Sequence, residues 1–176
     1  MANESKQPRD VIDLGELHSA GAAAFSYEGL KEARQRAAAL LVVLLGGGGG
    51  LGGLGMAQWV TNRPLALAAL AAAVYWFGIA TYLAWVALRS TPVRTWHTVG
   101  LVEKLPKWEA YASLLREEGA NTTGIDELRK SAIRNTEMAA SEYRTASTES
   151  LMAIDRCFLL MALTPVAALS AVIFTA

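Results

Sequence analysis

The sequence contains a single cysteine, Cys157, and no concentrated run of basic residues. One cysteine excludes a disulfide within the chain, and its place at the start of an apolar stretch favours a packing role. The formal net charge is zero, with 16 basic and 16 acidic residues, so a nucleic acid polymer is not an expected partner. What distinguishes the composition is a hydrophobic content of 53%, which is high for a soluble domain.

Charged residues are missing from three long stretches. Residues 37–62, 64–88 and 157–176 contain no Asp, Glu, Lys, Arg or His. Each stretch is long enough to cross about 30 Å of hydrocarbon as a helix that rises about 1.5 Å per residue. Mostly polar residues come before the first stretch, so we expect a retained span and not a cleaved signal peptide.

The pattern predicts an all-α integral membrane protein with three transmembrane helices and a cytoplasmic helical region. Residues 37–62 and 64–89 would form a helical hairpin, and residues 157–176 a C-terminal span. Residues 1–36 would be a cytoplasmic N-terminal segment with an amphipathic helix, and residues 90–156 the cytoplasmic helical region. Pro64 in "TNRP" would begin the second helix after a tight turn, where its missing N–H costs little.

The basic residues predict the orientation. Five precede the first span and Arg63 alone lies between the first two, whereas ten lie between the second and third. Because short cytoplasmic segments are enriched in Lys and Arg, the N-terminus is expected in the cytoplasm.

The first span contains the run "LLGGGGGLGGLG", in which eight of twelve residues are glycine. In lipid an unpaired backbone is so costly that we expect this run to be helical. Gly46 with Gly50, and Gly49 with Gly53, have the four-residue spacing that lets two helix backbones approach closely. This surface would pack the hairpin, or serve as an oligomer contact or a sliding helix. The second span supplies bulk to fill the space: Tyr75, Trp76, Phe77, Tyr82 and Trp85.

Several local signals predict the other helices. Ser26 is a weak N-cap for the helix that enters the first span, with Leu30, Ala33, Ala37 and Leu41 on one face. "PKWEAYASLLREEG", residues 106–119, would begin at its proline and end at its glycine. Residues 125–156 would form one helix leading into the third span, where Pro165 would introduce a kink. A thin apolar strip on that helix comprises Ile125, Leu128, Ala132, Ala139, Ala146 and Ala153.

No catalytic or metal-binding motif is present, so we expect neither an enzyme nor a metal or other cofactor. The spans also lack the ionisable residue near the midplane that transporters usually need. Two residue sets have ligand-contact chemistry: Arg94, Trp96 and His97 offer a cation, a stacking surface and a neutral donor, and Asn135, Tyr143 and Arg144 lie on the long helix. The alternatives are membrane anchoring for the first set and a solvated helix face for the second.

The order of segments resembles the transmembrane effectors of Pycsar antiphage systems. The resemblance rests on the helix entering the hairpin, on "WVALRSTP" after it, on "WEAYASLLREEG", and on "ELRKSAIRNTEMAASEYRTASTESL" running into the last apolar segment. It implies an effector that senses cyclic UMP or cyclic CMP, made by a cognate cyclase, through its cytoplasmic helices. Its spans would then rearrange or assemble as a homo-oligomer and disrupt the inner membrane.

Two other functions are compatible with the sequence. One is an accessory membrane protein of a phage, conjugation or secretion apparatus, whose cytoplasmic helices dock a partner. The other is a holin-like lysis protein, for which the long insert between the second and third spans would have no use.

Overall fold

The computed structural model describes residues 7–89, 101–119 and 122–173, and these residues form five α-helices and no strand. The all-helical class expected from the sequence is confirmed. The helices are α1 (Gln7–Gln58), α2 (Arg63–Ala87), α3 (Leu101–Glu117), α4 (Gly124–Ala162) and α5 (Thr164–Ile173). In the described ranges α1 and α2 are long and apolar enough to cross a membrane, and α4 with α5 makes a third candidate if the bent pair is one span.

The chain divides into two compact units. Met1–Gly29 and Pro92–Thr145 make the first unit, and Leu30–Thr91 and Ala146–Ala176 make the second. Helices α1 and α4 each contribute residues to both units.

The core of the second unit is built by α1, α2 and α4. Their packing is close because many of the contacting side chains are small. Tyr75 donates a hydrogen bond to the carbonyl of Leu160 at 2.9 Å, and Ser150 donates one to the carbonyl of Ala87 at 3.4 Å. The residue number on α2 rises from 75 to 87 while that of its partner on α4 falls from 160 to 150, so α2 runs antiparallel to α4. The buried core residues are Ala37, Leu40, Leu44, Ile79, Ala80, Leu83, Ala87, Ala153, Ile154 and Cys157.

The connection between α1 and α2 has the predicted geometry. Asn62 is the N-cap of α2, and its side chain accepts a hydrogen bond from the backbone N–H of Leu65 at 3.2 Å. Pro64 lies in the first turn, where the helix needs no donor from it. A capped start within a few residues of the end of α1 makes the hairpin tight.

In the first unit, α1 and α4 run parallel. Arg129 contacts Glu16 near the start of the pair, and Tyr143 contacts Tyr27 farther along both helices. Next to Glu16, a Cβ on Gly15 would lie 3.2 Å from the side chain of Ile133. Gly15 therefore provides the space in which Ile133 packs against α1.

Helix α1 begins well before the position that Ser26 suggested. It starts at Gln7, and Ser26 is a buried residue in its interior. Residues Ile12, Ser19 and Ser26 are buried at seven-residue intervals, which is the spacing of a face held against another helix. Tertiary packing of this face therefore extends the helix through a glycine-containing segment of low intrinsic propensity.

Two further expectations differ from the structure. Helix α3 begins at Leu101, so Pro106 lies inside the helix and does not open it. Ile125, the first residue of the predicted apolar strip on α4, is 57% exposed. Farther along α4, the predicted residues Ala146 and Ala153 are buried.

The predicted kink at Pro165 is present. Helices α4 and α5 meet at Leu163 with a bend of 41°. Because Pro165 has no N–H to donate, the carbonyl of Met161 loses its normal helical partner. The Thr164 hydroxyl replaces that partner, donating to the Met161 carbonyl at 2.6 Å, and accepts in turn from the indole N–H of Trp76 at 2.8 Å.

Candidate functional site

Only one of the two predicted ligand sets lies in the described structure. Arg94, Trp96 and His97 lie outside the described residues. Asn135, Tyr143 and Arg144 all lie on α4, which spans Gly124–Ala162.

Of that second set, Tyr143 has a packing partner. Its ring lies edge-on to Tyr27 with the ring centroids 5.5 Å apart, so it is part of the contact between α1 and α4. Asn135 and Tyr143 are both partly buried and stand two helical turns apart.

A different group of residues lines a cavity of about 640 Å³ in the first unit. We call it the α3/α4 cleft, since every lining residue belongs to one of these two helices. A volume of this size is typical of small-molecule sites. The lining residues are Lys107, Trp108 and Tyr111 of α3, and Glu127, Lys130, Ser131 and Arg134 of α4.

The α3 side of the cleft is aromatic and cationic. Trp108 and Tyr111 stand three residues apart, so their rings lie on one face of the helix. The ring centroids are 6.2 Å apart and the planes are nearly perpendicular, at 85°. Trp108 is partly buried, whereas Lys107 is exposed at the mouth of the cleft. This side therefore offers ring surfaces for stacking and a cation beside them.

The α4 side presents polar residues at spacings of three, four and seven, which place them on one helix face. Its first turn is held by a reciprocal cap: the backbone N–H of Asp126 donates to the Thr123 hydroxyl at 3.2 Å, and that of Thr123 donates to the Asp126 carboxylate at 3.3 Å. The backbone N–H of Gly124 donates to the Glu109 carboxylate at 2.8 Å, which joins the start of α4 to α3.

Gly124 is required for that junction. A Cβ at this position would lie 2.8 Å from both the backbone nitrogen and the Cα of Glu109. Backbone atoms cannot move aside cheaply, so α3 and α4 approach this closely only with glycine here. The contact determines how far apart the two sides of the cleft stand.

The charge of the cleft is positive. Lys130 pairs with Glu127 at 2.7 Å, and the Thr122 hydroxyl donates to the same carboxylate oxygen at 2.8 Å. The hydrogen bond from Lys130 is the main reason that the pKa of Glu127 lies below its ordinary value of 4.5. In the part of the chain that the structure describes, Lys107 and Arg134 have no carboxylate partner.

Arg129, next to Lys130, anchors this part of α4 to α1. Its guanidinium donates two hydrogen bonds to the carboxylate of Glu16, at 2.7 and 2.8 Å, and a third to Asp13. Such a bidentate pair orients a helix more firmly than a single contact does. Helix α4 therefore has one cation turned towards α1 and two more in the cleft.

In the second unit, the glycine run divides into two faces. Gly47, Gly48, Gly52 and Gly55 face α2: a Cβ on Gly48 would lie 3.5 Å from Trp76, and one on Gly55 would lie 3.0 Å from the backbone oxygen of Ala66. A Cβ on Gly46, Gly49, Gly50 or Gly53 would meet no described atom within 4 Å. Close packing of the hairpin thus uses different glycines from the pairs singled out by their four-residue spacing.

The sequence offered a partial signal for the cleft. Trp108 and Tyr111 have the three-residue spacing of an apolar helix face, although each also has a polar atom. Lys130 and Arg134 stand four residues apart in "RKSAIR", a spacing that puts two cations on one helix face. The pairing of the α3 face with the α4 face has no signature in either segment.

No protein family, curated protein or solved structure compared with this chain matches it. Among the described residues, no group of three His, Cys, Asp or Glu side chains could hold a metal ion. The fold thus defines an all-helical protein with two or three helices suited to crossing a membrane, and with a cationic, aromatic cleft in its other unit.

Proposed function

We propose that this protein is a non-enzymatic antiphage defence effector of the Pycsar type. In this proposal the first unit binds cyclic UMP or cyclic CMP from a cognate cyclase. The spans then rearrange or assemble, and the integrity of the bacterial inner membrane is lost. The N-terminus and the α3/α4 cleft lie in the cytoplasm, as the distribution of Lys and Arg favours.

The observation that carries this proposal is the continuity of α4. The helix begins beside the α3/α4 cleft, contributes four of its lining residues, and continues without a break to Ala162, with Ala153, Ile154 and Cys157 in the apolar core of the second unit. A ligand that contacts α4 in the cleft therefore acts on the same continuous helix that enters the candidate third span.

The composition of the spans supports disruption of the membrane over transport of a solute. Residues 37–62, 64–88 and 157–176 carry no charged side chain that could bind an ion or relay a proton at the midplane. Four glycines of α1, Gly46, Gly49, Gly50 and Gly53, meet no described atom of this chain. We propose that a second copy of the protein packs on this face when the effector assembles.

Membrane potential in bacterial cells tests the proposal directly. Cells that express the chain alone should keep their potential, and co-expression of a cyclase making cyclic UMP or cyclic CMP should depolarise them within minutes. A catalytically dead cyclase is the matched control. Depolarisation on expression alone would instead indicate a holin-like protein. Tolerance with every cyclase, together with a co-purifying protein partner, would indicate an accessory protein.

A further inference from the structure

We propose that the α3/α4 cleft binds a small soluble phosphate ester that carries a flat ring. The phosphate is held between Lys107 of α3 and Arg134 of α4, and the ring packs on Trp108 and Tyr111. The inference rests on the proposed function only for the identity of the natural ligand, since the ligand's chemical class follows from the cleft itself. Arg94, Trp96 and His97, which lie outside the described residues, are not part of this proposal.

The charged residues that line the cleft favour binding of an anion. Three cations line it against one carboxylate, and that carboxylate is already engaged by Lys130 at 2.7 Å. Lys107 and Arg134, which have no carboxylate partner among the described residues, stand on opposite sides of the cleft. An anion placed between them gains two charge-assisted contacts and relieves their mutual repulsion. The planar guanidinium of Arg134 is suited to two phosphate oxygens at once.

The aromatic residues of the cleft favour a ligand with a flat ring that can stack on them. Trp108 and Tyr111 form an edge-to-face pair on the α3 side, and stacking on such side chains holds nucleobases without needing a particular base. Ser131 and Glu127 on the α4 side can donate to and accept from polar groups at the ring edge. The cavity of about 640 Å³ has room for one mononucleotide.

The phosphate could also belong to a lipid headgroup, but the residues that line the cleft do not favour a lipid. None of the seven lining residues is aliphatic, so the cleft provides no surface on which an acyl chain could lie. A soluble ester needs no such surface. The two sources of phosphate can therefore be separated by experiment.

Binding to this site would tie α3 to α4. The two helices are already joined at one end by the Gly124 N–H and the Glu109 carboxylate. A ligand that touches Lys107 and Arg134 adds a second bridge beyond that junction, so occupancy restrains α3 relative to α4.

The test is calorimetry on the full-length protein purified in detergent, titrated separately with cyclic UMP, cyclic CMP, cyclic AMP and cyclic GMP. Arg134→Gln and Trp108→Leu remove the proposed phosphate and ring contacts. We expect each to weaken binding about tenfold or more, given the usual strength of a charged hydrogen bond or a stacked base. Arg36→Gln and Trp59→Leu, which lie in the second unit, are the matched controls and should bind as the wild type does.

The outcomes separate the site from the function. If cyclic UMP or cyclic CMP binds and both cleft variants bind it equally well, the site assignment is wrong while the proposed function survives. If only a cyclic purine nucleotide binds, and the cleft variants lose it, the site is supported and the pyrimidine function fails. If none of the four binds, both fail.

Two further measurements complete the test. Circular dichroism melting shows whether each variant is folded, and Arg134→Lys, which keeps the charge, should recover part of the affinity. Phosphatidylglycerol vesicles should not compete with the nucleotide for the wild-type protein. Competition that disappears in Arg134→Gln would overturn the proposal in favour of a lipid site.

Discussion

At the scale of single residues, glycines of the same run have different roles according to the direction they face. Gly55 points at α2, where a Cβ would lie 2.6 Å from the Cγ of Leu70 and 3.0 Å from the backbone oxygen of Ala66. Gly53, two residues earlier, faces no described atom within 4 Å. One position therefore excludes a side chain for steric reasons, and the other does not.

This contrast predicts opposite effects of two alanine substitutions. Gly55→Ala should destabilise the hairpin by about 1–3 kcal/mol, the usual cost of overpacking. Gly53→Ala should leave monomer stability unchanged or slightly raised, because alanine favours the helix. Thermal unfolding in detergent, followed by circular dichroism, would measure both. Equal melting temperatures would contradict the assigned faces, and a loss of oligomer in Gly53→Ala alone would support the proposed contact between copies.

Glu127 makes the stability of the first unit depend on pH. Its hydrogen bonds with Lys130 and Thr122 lower its pKa when the protein is folded, while the nearby Asp126 opposes this. A carboxyl whose folded pKa is lowered contributes stability above its ordinary pKa of 4.5, and that contribution is lost as the pH falls through the folded pKa. The loss therefore occurs on the acid side of pH 4.5.

We accordingly expect Glu127→Gln to lower the melting temperature of the protein at pH 7 by a few degrees. Below pH 4 the difference from the wild type should shrink, because the wild-type carboxyl is then becoming protonated as well. Melting curves of both proteins at pH 7, 5, 4 and 3 would show this. Asp155→Gln is the control, since it alters an exposed acidic residue of the same helix. A constant difference across the whole range would refute the role of ionised Glu127.

At the scale of elements, the bend between α4 and α5 has a chemical cause and a tertiary support. Pro165 removes one helical hydrogen bond, and Thr164 satisfies the carbonyl that is left. Tyr75 and Trp76 of α2 then donate to Leu160 and Thr164 beside the break. In a membrane these bonds matter because water is not available to satisfy the exposed backbone.

Replacing the proline should straighten the helix. In Pro165→Ala the restored N–H can bond to the Met161 carbonyl, and α5 can continue the axis of α4. Since α5 has ten residues and the bend is 41°, its far end would move on the order of 10 Å at 1.5 Å per residue. Electron spin resonance distances between labels at Leu65 and Ile173, in a Cys157→Ala background, would detect the shift.

Val166→Ala is the control for this measurement, because it alters the neighbouring exposed residue and keeps the proline. An unchanged distance in Pro165→Ala would mean that packing against α2, and not the proline, maintains the bend.

The sequence predicted which segments are helical better than it predicted where each helix begins and ends. The second helix was expected over residues 64–89 and is observed at Arg63–Ala87, because a long uncharged stretch with a proline at its start is a strong helix signal. The start of α1 was predicted too late in the sequence because Gly15, Gly21 and Gly29 lower the helix propensity of this segment. The helix persists there because it packs against α4. For α3, the start was predicted at Pro106 because a proline costs least in the first turn, but the helix begins five residues earlier, at Leu101.

At the scale of the whole molecule, the direction of the chain agrees with three alternating crossings. In the second unit α2 runs antiparallel to α4, as expected if these two helices cross the membrane in opposite directions. In the first unit α1 and α4 run parallel, as expected if both enter the membrane from the same side. The side on which the N-terminus lies is proposed from the distribution of Lys and Arg.

Accessibility of introduced cysteines would test that orientation. In a Cys157→Ala background, Thr61→Cys lies in the turn between α1 and α2, and Glu118→Cys lies at the end of α3; both positions are exposed. A membrane-impermeant maleimide should label Thr61→Cys in spheroplasts and should label Glu118→Cys only after lysis. The reverse pattern would invert the topology, and labelling of both in intact spheroplasts would exclude α2 as a span.

The sequence by itself determined the helical class, the hairpin and the bend, because each follows from local properties: uncharged length, a capped turn and a proline without an N–H. Only the tertiary structure decided which glycines face α2, and that Trp108 and Tyr111 share a cleft with Lys130 and Arg134. These facts depend on the rotation of each helix about its axis and on its choice of neighbour. Both are set by the sum of many weak packing contacts between segments distant in the chain, which no local pattern records.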